Sequence, residues 1–350
     1  MKRYKVALIG CGRMGATIDD ERADRPNSEQ WIPLSHAAAA VACERTDLIA
    51  VSDVVEEKAE STGERYGVPF CYTDFREMID KESPDIICVA TRPATHEELV
   101  VHAAEAGVKG IYCEKPLCCS MAEADRMVEA VERCGVKFNY GTQRRYTSAY
   151  RTMRKLIDDG KLGDIEAVIV QQGVRSALWR LTHGADLMQF LARDSDIEFV
   201  QGVIAAEDDD WDGNRLNIDP DIVSGFVQFK NGARGYFTAG TGTDIEVSGS
   251  GGKLRALDDA VTISYRKQVE GGFPMSSEAF PEYKLEIGTP NGIRDIAEAL
   301  DEDRETQGPI QLARASQEML MGFIESHRLG GARVPIPMEN RELYVGRENW

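Results

Sequence analysis

Short apolar runs alternate with longer segments whose apolar positions recur every three or four residues over the first 140 positions of the chain. Val6–Ile9, Leu48–Val51, Ile86–Ala90, Ile111–Cys113 and Val136–Tyr140 read as strands. Glu56–Tyr66, Asp74–Asp80, Glu97–Ala106 and Met121–Cys134 read as the helices between them. Ser120 followed by Glu123 forms a capping box ahead of the stripe Met121, Ala124, Val128 and Val131. Strands and helices in alternation predict a parallel sheet with right-handed crossovers.

The pattern changes after Tyr146. Arg151–Asp159 and Ala185–Leu191 read as helices and Ile165–Gln171 as a strand. Alternating runs follow at Phe199–Ala205, Ile222–Phe229, Ala233–Thr238, Ile245–Ser248 and Val261–Tyr265. The turn signals Asn231-Gly232 and Gly249-Ser250-Gly251-Gly252 between them suit a mostly antiparallel sheet. Helical periodicity returns at Ile293–Leu300 and Ile310–Arg328. The expectation is an α/β protein with a dinucleotide-binding domain over residues 1–145. A second domain with a large open sheet, for substrate binding and oligomerisation, is expected over 146–350. A chain of 350 residues accommodates two such cores.

Net charge is −18, from 41 basic and 59 acidic side chains. That balance argues against a chain-wide attraction to nucleic acid or anionic lipid and favours a small-molecule partner. No apolar stretch approaches the roughly 20 residues of a membrane span, and the run after the basic start is too short for a signal peptide. Eight scattered cysteines without a CxxC read as reduced thiols of a cytoplasmic protein, and neither CxxC nor HExxH is present to suggest zinc. No metal site is expected.

Gly10-Cys11-Gly12-Arg13-Met14-Gly15 matches GxGxxG directly after the first strand. Gly10 allows the tight turn, Gly12 the approach of a pyrophosphate, and Gly15 close packing of helix on strand. Asp53 ends the second strand, where a carboxylate accepts the ribose hydroxyls of the adenosine and repels a 2′-phosphate, so NAD is favoured over NADP. Asp53 lies 38 residues after Gly15, against roughly 20 in the usual pattern, and the surplus falls in the polar stretch Asp19–Pro33. Thr91, Arg92 and His96 follow the strand at Ile86–Ala90; His96 either faces the nicotinamide or opens the next helix. Glu114-Lys115-Pro116 follows Ile111–Cys113 at the same edge, where Lys115 is a candidate to hydrogen-bond a reacting hydroxyl.

In this order GCGRMG, Asp53, ATRPATH at 90–96, CEKPL at 113–117 and FNYGTQRRY at 138–146 resemble the Gfo/Idh/MocA family, named for glucose–fructose oxidoreductase, inositol dehydrogenase and a rhizopine catabolism protein. The likeness continues through the antiparallel region to Glu325-Ser326-His327. It implies a Rossmann domain, an α/β domain with a large open sheet, a nicotinamide cofactor, and sugar or cyclitol substrates. Lys115 is implied to lie between cofactor and substrate. Many members carry a helix with an Asp, a His four residues on and an Asp three further. Here Trp179, His183 and Asp186 align with it, so His183 and Asp186 are retained and Trp179 replaces the first Asp. Trp179 either stacks on a sugar ring or marks a lost proton relay. Arg144, Arg145, Tyr146 and Arg180 are further candidates for substrate contact. The resulting expectation is an NAD(H)-dependent oxidoreductase of polyol hydroxyls, working as a homodimer or homotetramer. A redox-neutral epimerase, lyase or glycosidase that retains NAD, and a regulatory NAD-binding protein without catalysis, are the alternatives.

Overall fold

A computed structural model describes residues 2–25, 28–271, 273–347 and 350. The chain divides into two compact units, one built from Met1–Thr147, Glu286–Arg314 and Trp350, the other from Ser148–Leu285 and Ala315–Asn349. Residues 286–314, which the division at 145/146 groups with the later chain, thus return to the first unit.

The first unit is a Rossmann fold. Six parallel strands, β1 (Tyr4–Ile9), β2 (Thr46–Ser52), β3 (Phe70–Tyr72), β4 (Ile86–Val89), β5 (Gly110–Cys113) and β6 (Lys137–Tyr140), stand in the order 3-2-1-4-5-6. The central strands are buried throughout, which explains why they read as continuous apolar runs rather than alternating ones. β3 escapes the sequence reading because it is a three-residue edge strand with Phe70 and Cys71 exposed.

The crossovers are α1 (His36–Ala42), α2 (Glu56–Tyr66), α3 (Phe75–Glu82), α4 (Pro93–Glu105) and α5 (Met121–Cys134). The Ser120–Glu123 capping box is present, and Asp74 caps α3 by accepting from the N–H of Arg76 at 2.9 Å. α4 starts four residues earlier than its periodicity suggests, because Pro93 supplies a preset φ at the first helical position. The helix Thr289–Glu302 packs beside β5 and β6, placing Ile293, Ile296 and Ala297 in the same core as Val6, Leu8 and Tyr112.

In the second unit α6 (Ser148–Asp158), α7 (Ala177–Arg180) and α8 (Thr182–Leu191) accompany a ten-stranded sheet. Its strands are β7 (Ile165–Gln171), β8 (Arg175–Ser176), β9 (Ile197–Ala205), β12 (Asp221–Phe229), β13 (Arg234–Thr238), β14 (Asp244–Gly249), β15 (Gly252–Leu257), β16 (Thr262–Lys267), β17 (Ser276–Glu278) and β18 (Val334–Pro335). The short pairs β10 (Trp211–Asp212) and β11 (Arg215–Leu216) form a separate small sheet with β19 (Tyr344–Val345). Among the described residues only β7 and β13 pair in parallel in the large sheet; its other pairings are antiparallel. The glycine cluster at 249–252 is the turn from β14 into β15, a strand absent from the sequence reading because its outward positions are Lys253 and Arg255.

One face of this sheet is covered by helix: Phe323, on the helix Ile310–Arg328, stacks edge-on with Phe237 and lies over the facing pair Gly202 and Gly225. The other face carries a row of half-buried rings, with Phe199 and Phe226 5.8 Å apart and Phe226 and Tyr236 5.5 Å apart. Val203 beside them is 44% exposed. Among the described residues no helix is long and apolar enough to cross a membrane.

Candidate cofactor and active site

Strand register gathers the sequence motifs of the first unit on one edge. Ile9 pairs with Ser52 and with Val89, Val89 with Cys113, and Cys113 with Tyr140. The residues that follow this row are therefore the glycine loop, Asp53, Thr91 with Arg92, Glu114 with Lys115, and Gly141. This is the carboxyl edge of the sheet, and the strand order reverses between β1 and β4, where dinucleotides bind in open parallel sheets.

Gly10 has φ +94°, and a Cβ there would stand 2.8 Å from the carbonyl of Ala90. A Cβ on Gly15 would collide with the carbonyl oxygen of Gly10, whereas at Gly12 it would meet nothing within 4 Å. Two glycines thus serve the fold and the third leaves a cradle that a side chain would fill, which fits a pyrophosphate lying against the backbone. The loop enters a single π-helical turn, Arg13–Thr17, rather than the α-helix the motif usually opens. Burial pushes the Cys11 thiol up to about 12, so no thiolate opposes a phosphate here. Arg13 pairs with Glu21, and Met14 packs with Ile18, Trp31, Leu34 and Ile287.

The extra residues begin at this turn. The carboxylate of Asp19 accepts from the N–H of Leu34 at 2.7 Å and from the Ser35 hydroxyl at 2.6 Å, closing the insertion immediately before α1. Pro26 and Asn27 lie outside the described residues. Arg22, within the insertion, is held below its ordinary value by burial and by the neighbouring charges of Arg25, Arg13 and Arg144.

Asp53 accepts hydrogen bonds from the N–H groups of Cys11 at 2.8 Å and Val55 at 2.9 Å, one on each oxygen. A carboxylate has about four acceptor sites, so capacity for two ribose hydroxyls is left. The Thr91 hydroxyl bonds that of Thr95 at 2.8 Å, and Arg92 stands exposed ahead of α4. His96 lies in the first turn of α4 and is fully buried, with Nδ1 2.9 Å from the carbonyl of Pro116. Burial holds its imidazole below the ordinary value, so it is neutral, and Nδ1–H donates to the turn that carries Lys115. Of the two alternatives for His96, the structure places it at the helix start with its ring directed at that turn.

Glu114 is buried, with Oε1 3.8 Å from the ammonium of Lys115 and Oε2 3.1 Å from Nε2 of His36. Neither His36 nor Gly141 stood out in the sequence. His36 follows the insertion, 78 positions from its partner, and no local pattern signals such a pairing.

Arg145 and Tyr146 are interior residues. Arg145 is 1% exposed and donates to the carbonyl of Gln307 at 2.7 Å, and the Tyr146 hydroxyl donates to the carbonyl of Tyr140 at 3.0 Å. Arg144, in the same 3₁₀ turn, is part exposed.

In the second unit His183 lies inside the first turn of α8, not ahead of it, because that helix starts at Thr182. Asp186 follows three residues later on the same helix and is buried. Gly184 lets the helix approach the sheet, since a Cβ there would stand 2.6 Å from the Gln172 side-chain oxygen and 2.9 Å from Val170. Trp179 and Arg180 end the short helix α7. Asp219, which the sequence reading missed, accepts from the N–H groups of Leu178 at 2.8 Å and Trp179 at 2.9 Å. Burial pushes the Asp219 carboxyl up, although these two amides and Arg347 oppose the shift. Among the described residues no group of three or more His, Cys, Asp or Glu side chains is arranged to hold a metal ion.

Comparison with known proteins agrees with this architecture. Residues 4–142 match the model of an oxidoreductase family with an NAD-binding Rossmann fold. Myo-inositol 2-dehydrogenase of Thermotoga maritima is 26% identical over 274 residues, covering 72% of this chain and 75% of that protein. D-apiose dehydrogenase of Paraburkholderia graminis is 31% identical over 163 residues, which span 47% of this chain and only 38% of that protein. Among solved structures, the aldose-aldose oxidoreductase of Caulobacter crescentus complexed with glycerol superposes with a TM-score of 0.75 at 22% identity, covering 96% of this chain and all of that one. Levoglucosan dehydrogenase in complex with NADH and levoglucosan gives 0.75 at 19% identity, with 96% and 100% covered. At such identities the structural likeness establishes the fold.

Proposed function

From the chain's membership of the Gfo/Idh/MocA oxidoreductase family, carried by residues 4–142, we propose that it is an NAD(H)-dependent dehydrogenase that moves a hydride to or from a secondary hydroxyl of a sugar, cyclitol or related polyol. The observation that supports this most directly is the common edge of the first unit, where Lys115 follows a strand two places from the open cradle at Gly12. The substrate class draws on the inositol and levoglucosan dehydrogenases among the similar proteins.

Asp53 receives the adenosine ribose and selects against a 2′-phosphate. When bound, the nicotinamide supplies the hydride acceptor or donor. Lys115 polarises the reacting oxygen, and His183 exchanges its proton near neutral pH, with Asp186 orienting the imidazole. Arg144 and Arg180 contact substrate oxygens, and Trp179 packs on a sugar ring. The replacement of the family's first Asp by Trp179 is the main support for a second reading, an NAD-binding regulatory protein without catalysis; a redox-neutral reaction in which NAD is retained is the other enzyme reading.

A screen of inositols, aldoses, sugar acids and anhydrosugars with NAD and NADP separately, read at the absorbance of the reduced nicotinamide, tests the proposal. NADH formation with at least one polyol is the expected result. NAD carried through gel filtration, with substrate consumed and no NADH formed, selects the redox-neutral reading. Absence of turnover in either assay with every polyol tested counts against both enzyme readings and, where NAD still binds, selects the regulatory one.

A further inference from the structure

His36 belongs to none of the chemistry-bearing motifs, yet its ring is fully buried against the loop that carries Lys115. It opens α1 directly after Leu34 and Ser35, the two residues that Asp19 clamps, so closure of the insertion sets where the ring begins. Its edge rests on Tyr112 with centroids 5.0 Å apart. Its Nε2 lies 3.1 Å from Oε2 of Glu114, and the other oxygen of that carboxylate lies 3.8 Å from Nζ of Lys115.

A carboxylate at this depth is costly unless donors and charges offset the lost hydration. Burial would push Glu114 up, but the hydrogen bond from His36 and the charge of Lys115 outweigh it and hold the carboxyl below its ordinary value. The ionised group only accepts, so the proton sits on Nε2 of His36. The titratable neighbours Tyr112 and Cys113 are both raised well above their ordinary values by burial and stay neutral. Gly141 closes the other side: a Cβ there would stand 2.7 Å from Oε2, so the space beside the carboxylate admits no side chain.

We propose that His36 is a positioning residue for Lys115: its Nε2–H pins the Glu114 carboxylate, and that carboxylate anchors the Lys115 ammonium at the carboxyl edge of the sheet. The functional weight of this arrangement rests on Lys115 being the group that polarises the reacting oxygen.

The test is the pH dependence of Lys115 acetylation by acetic anhydride in the full chain, read by peptide mass spectrometry against exposed Lys155. The wild type and His36→Gln, whose amide restores a donor, should share one midpoint. His36→Leu keeps bulk without a donor, and should lower the midpoint because the carboxylate, still ionised where a lysine titrates, is no longer held toward Lys115. Glu114→Gln removes the charge itself and should lower it by about one unit, the order of effect of an opposite charge about 4–6 Å away, and Leu at position 36 should add nothing on that background. A folded His36→Leu chain with the wild-type midpoint, or a Gln variant that behaves like Leu, overturns the proposal. Should His36→Leu not fold, nitrogen–proton NMR correlations of the wild type decide: an Nε2–H tautomer is expected, and an Nδ1–H tautomer overturns it. No substrate enters these readouts, so their failure leaves the role of Lys115 in turnover standing. Wild-type turnover by Lys115→Met would remove that role and leave the labelling result intact.

Discussion

The carboxylate of Asp53 accepts a hydrogen bond from the backbone N–H of Cys11 at 2.8 Å, joining the end of the second strand to the glycine loop. The residue proposed to choose between NAD and NADP therefore also shapes the loop proposed to hold the pyrophosphate. NAD is expected to bind more tightly than NADP to the wild type. Asp53→Ser should weaken NAD by about 1.5–3 kcal/mol, the scale of a hydrogen bond to a charged group, while narrowing the gap to NADP. Titration calorimetry with both cofactors checks this, and tighter NADP binding by the wild type refutes the role of Asp53.

The three glycines of the loop should separate stability from binding. Gly12→Val places its side chain where nothing stands within 4 Å, so the melting temperature should hold while NAD binding is lost. Gly15→Ala drives a methyl into the carbonyl oxygen of Gly10 and should lower the melting temperature by itself. Undiminished NAD binding by a folded Gly12→Val chain would place the phosphates elsewhere.

Lys115→Ala and His183→Ala should each reduce turnover by about 10² to 10⁴, the usual contribution of a general acid or base, with NAD affinity nearly unchanged. Asp186→Asn should cost less than His183→Ala, since Asp186 is proposed to act through the imidazole. Steady-state rates on an active polyol, with a thermal melt for each variant, make the comparison. Wild-type turnover by folded His183→Ala removes that residue from the proton path.

Glu114 gives a pH signature in stability. Its carboxyl is held below the ordinary value of 4.5, so its stabilising contribution is present above that pH and is lost as pH falls through the lowered value. Glu114→Gln should therefore lower the melting temperature at pH 7, and the difference from wild type should shrink in acid, below about pH 4.5. A difference that stays constant from neutral to acid pH would mean that the variant acts through packing alone.

The ring row of Phe199, Phe226 and Tyr236, with exposed Val203 beside it, is an apolar surface of the kind that meets a second copy. The protein is expected to be a homodimer or homotetramer, and Phe226→Glu is expected to dissociate it. Light scattering at micromolar concentration decides, and a monomeric wild type ends the proposal.

Elements whose cause is local were legible in advance. Glu56–Tyr66, Met121–Cys134, Ile165–Gln171 and Ile310–Arg328 have the boundaries their periodicity suggests, because caps and apolar stripes act within a turn or a strand. Among the elements that went unseen, β3 is short and exposed, β15 has charged outward positions, and α1, although Ser35 caps it, is a run of alanines and a valine behind His36 in which no polar face sets off an apolar stripe.

The same line divides the candidate site. GxGxxG, Asp53 and Glu114-Lys115 announce themselves because each needs particular residues at particular spacings beside a strand end. Their gathering on one edge follows from parallel register. The burial of Arg145 and Tyr146, the capping of Trp179 by Asp219, and the meeting of His36 with Glu114 have no such trace. Each joins a side chain to its surroundings through the folded path of the chain, and an isolated residue cannot encode how deep it will lie or which distant partner will satisfy it.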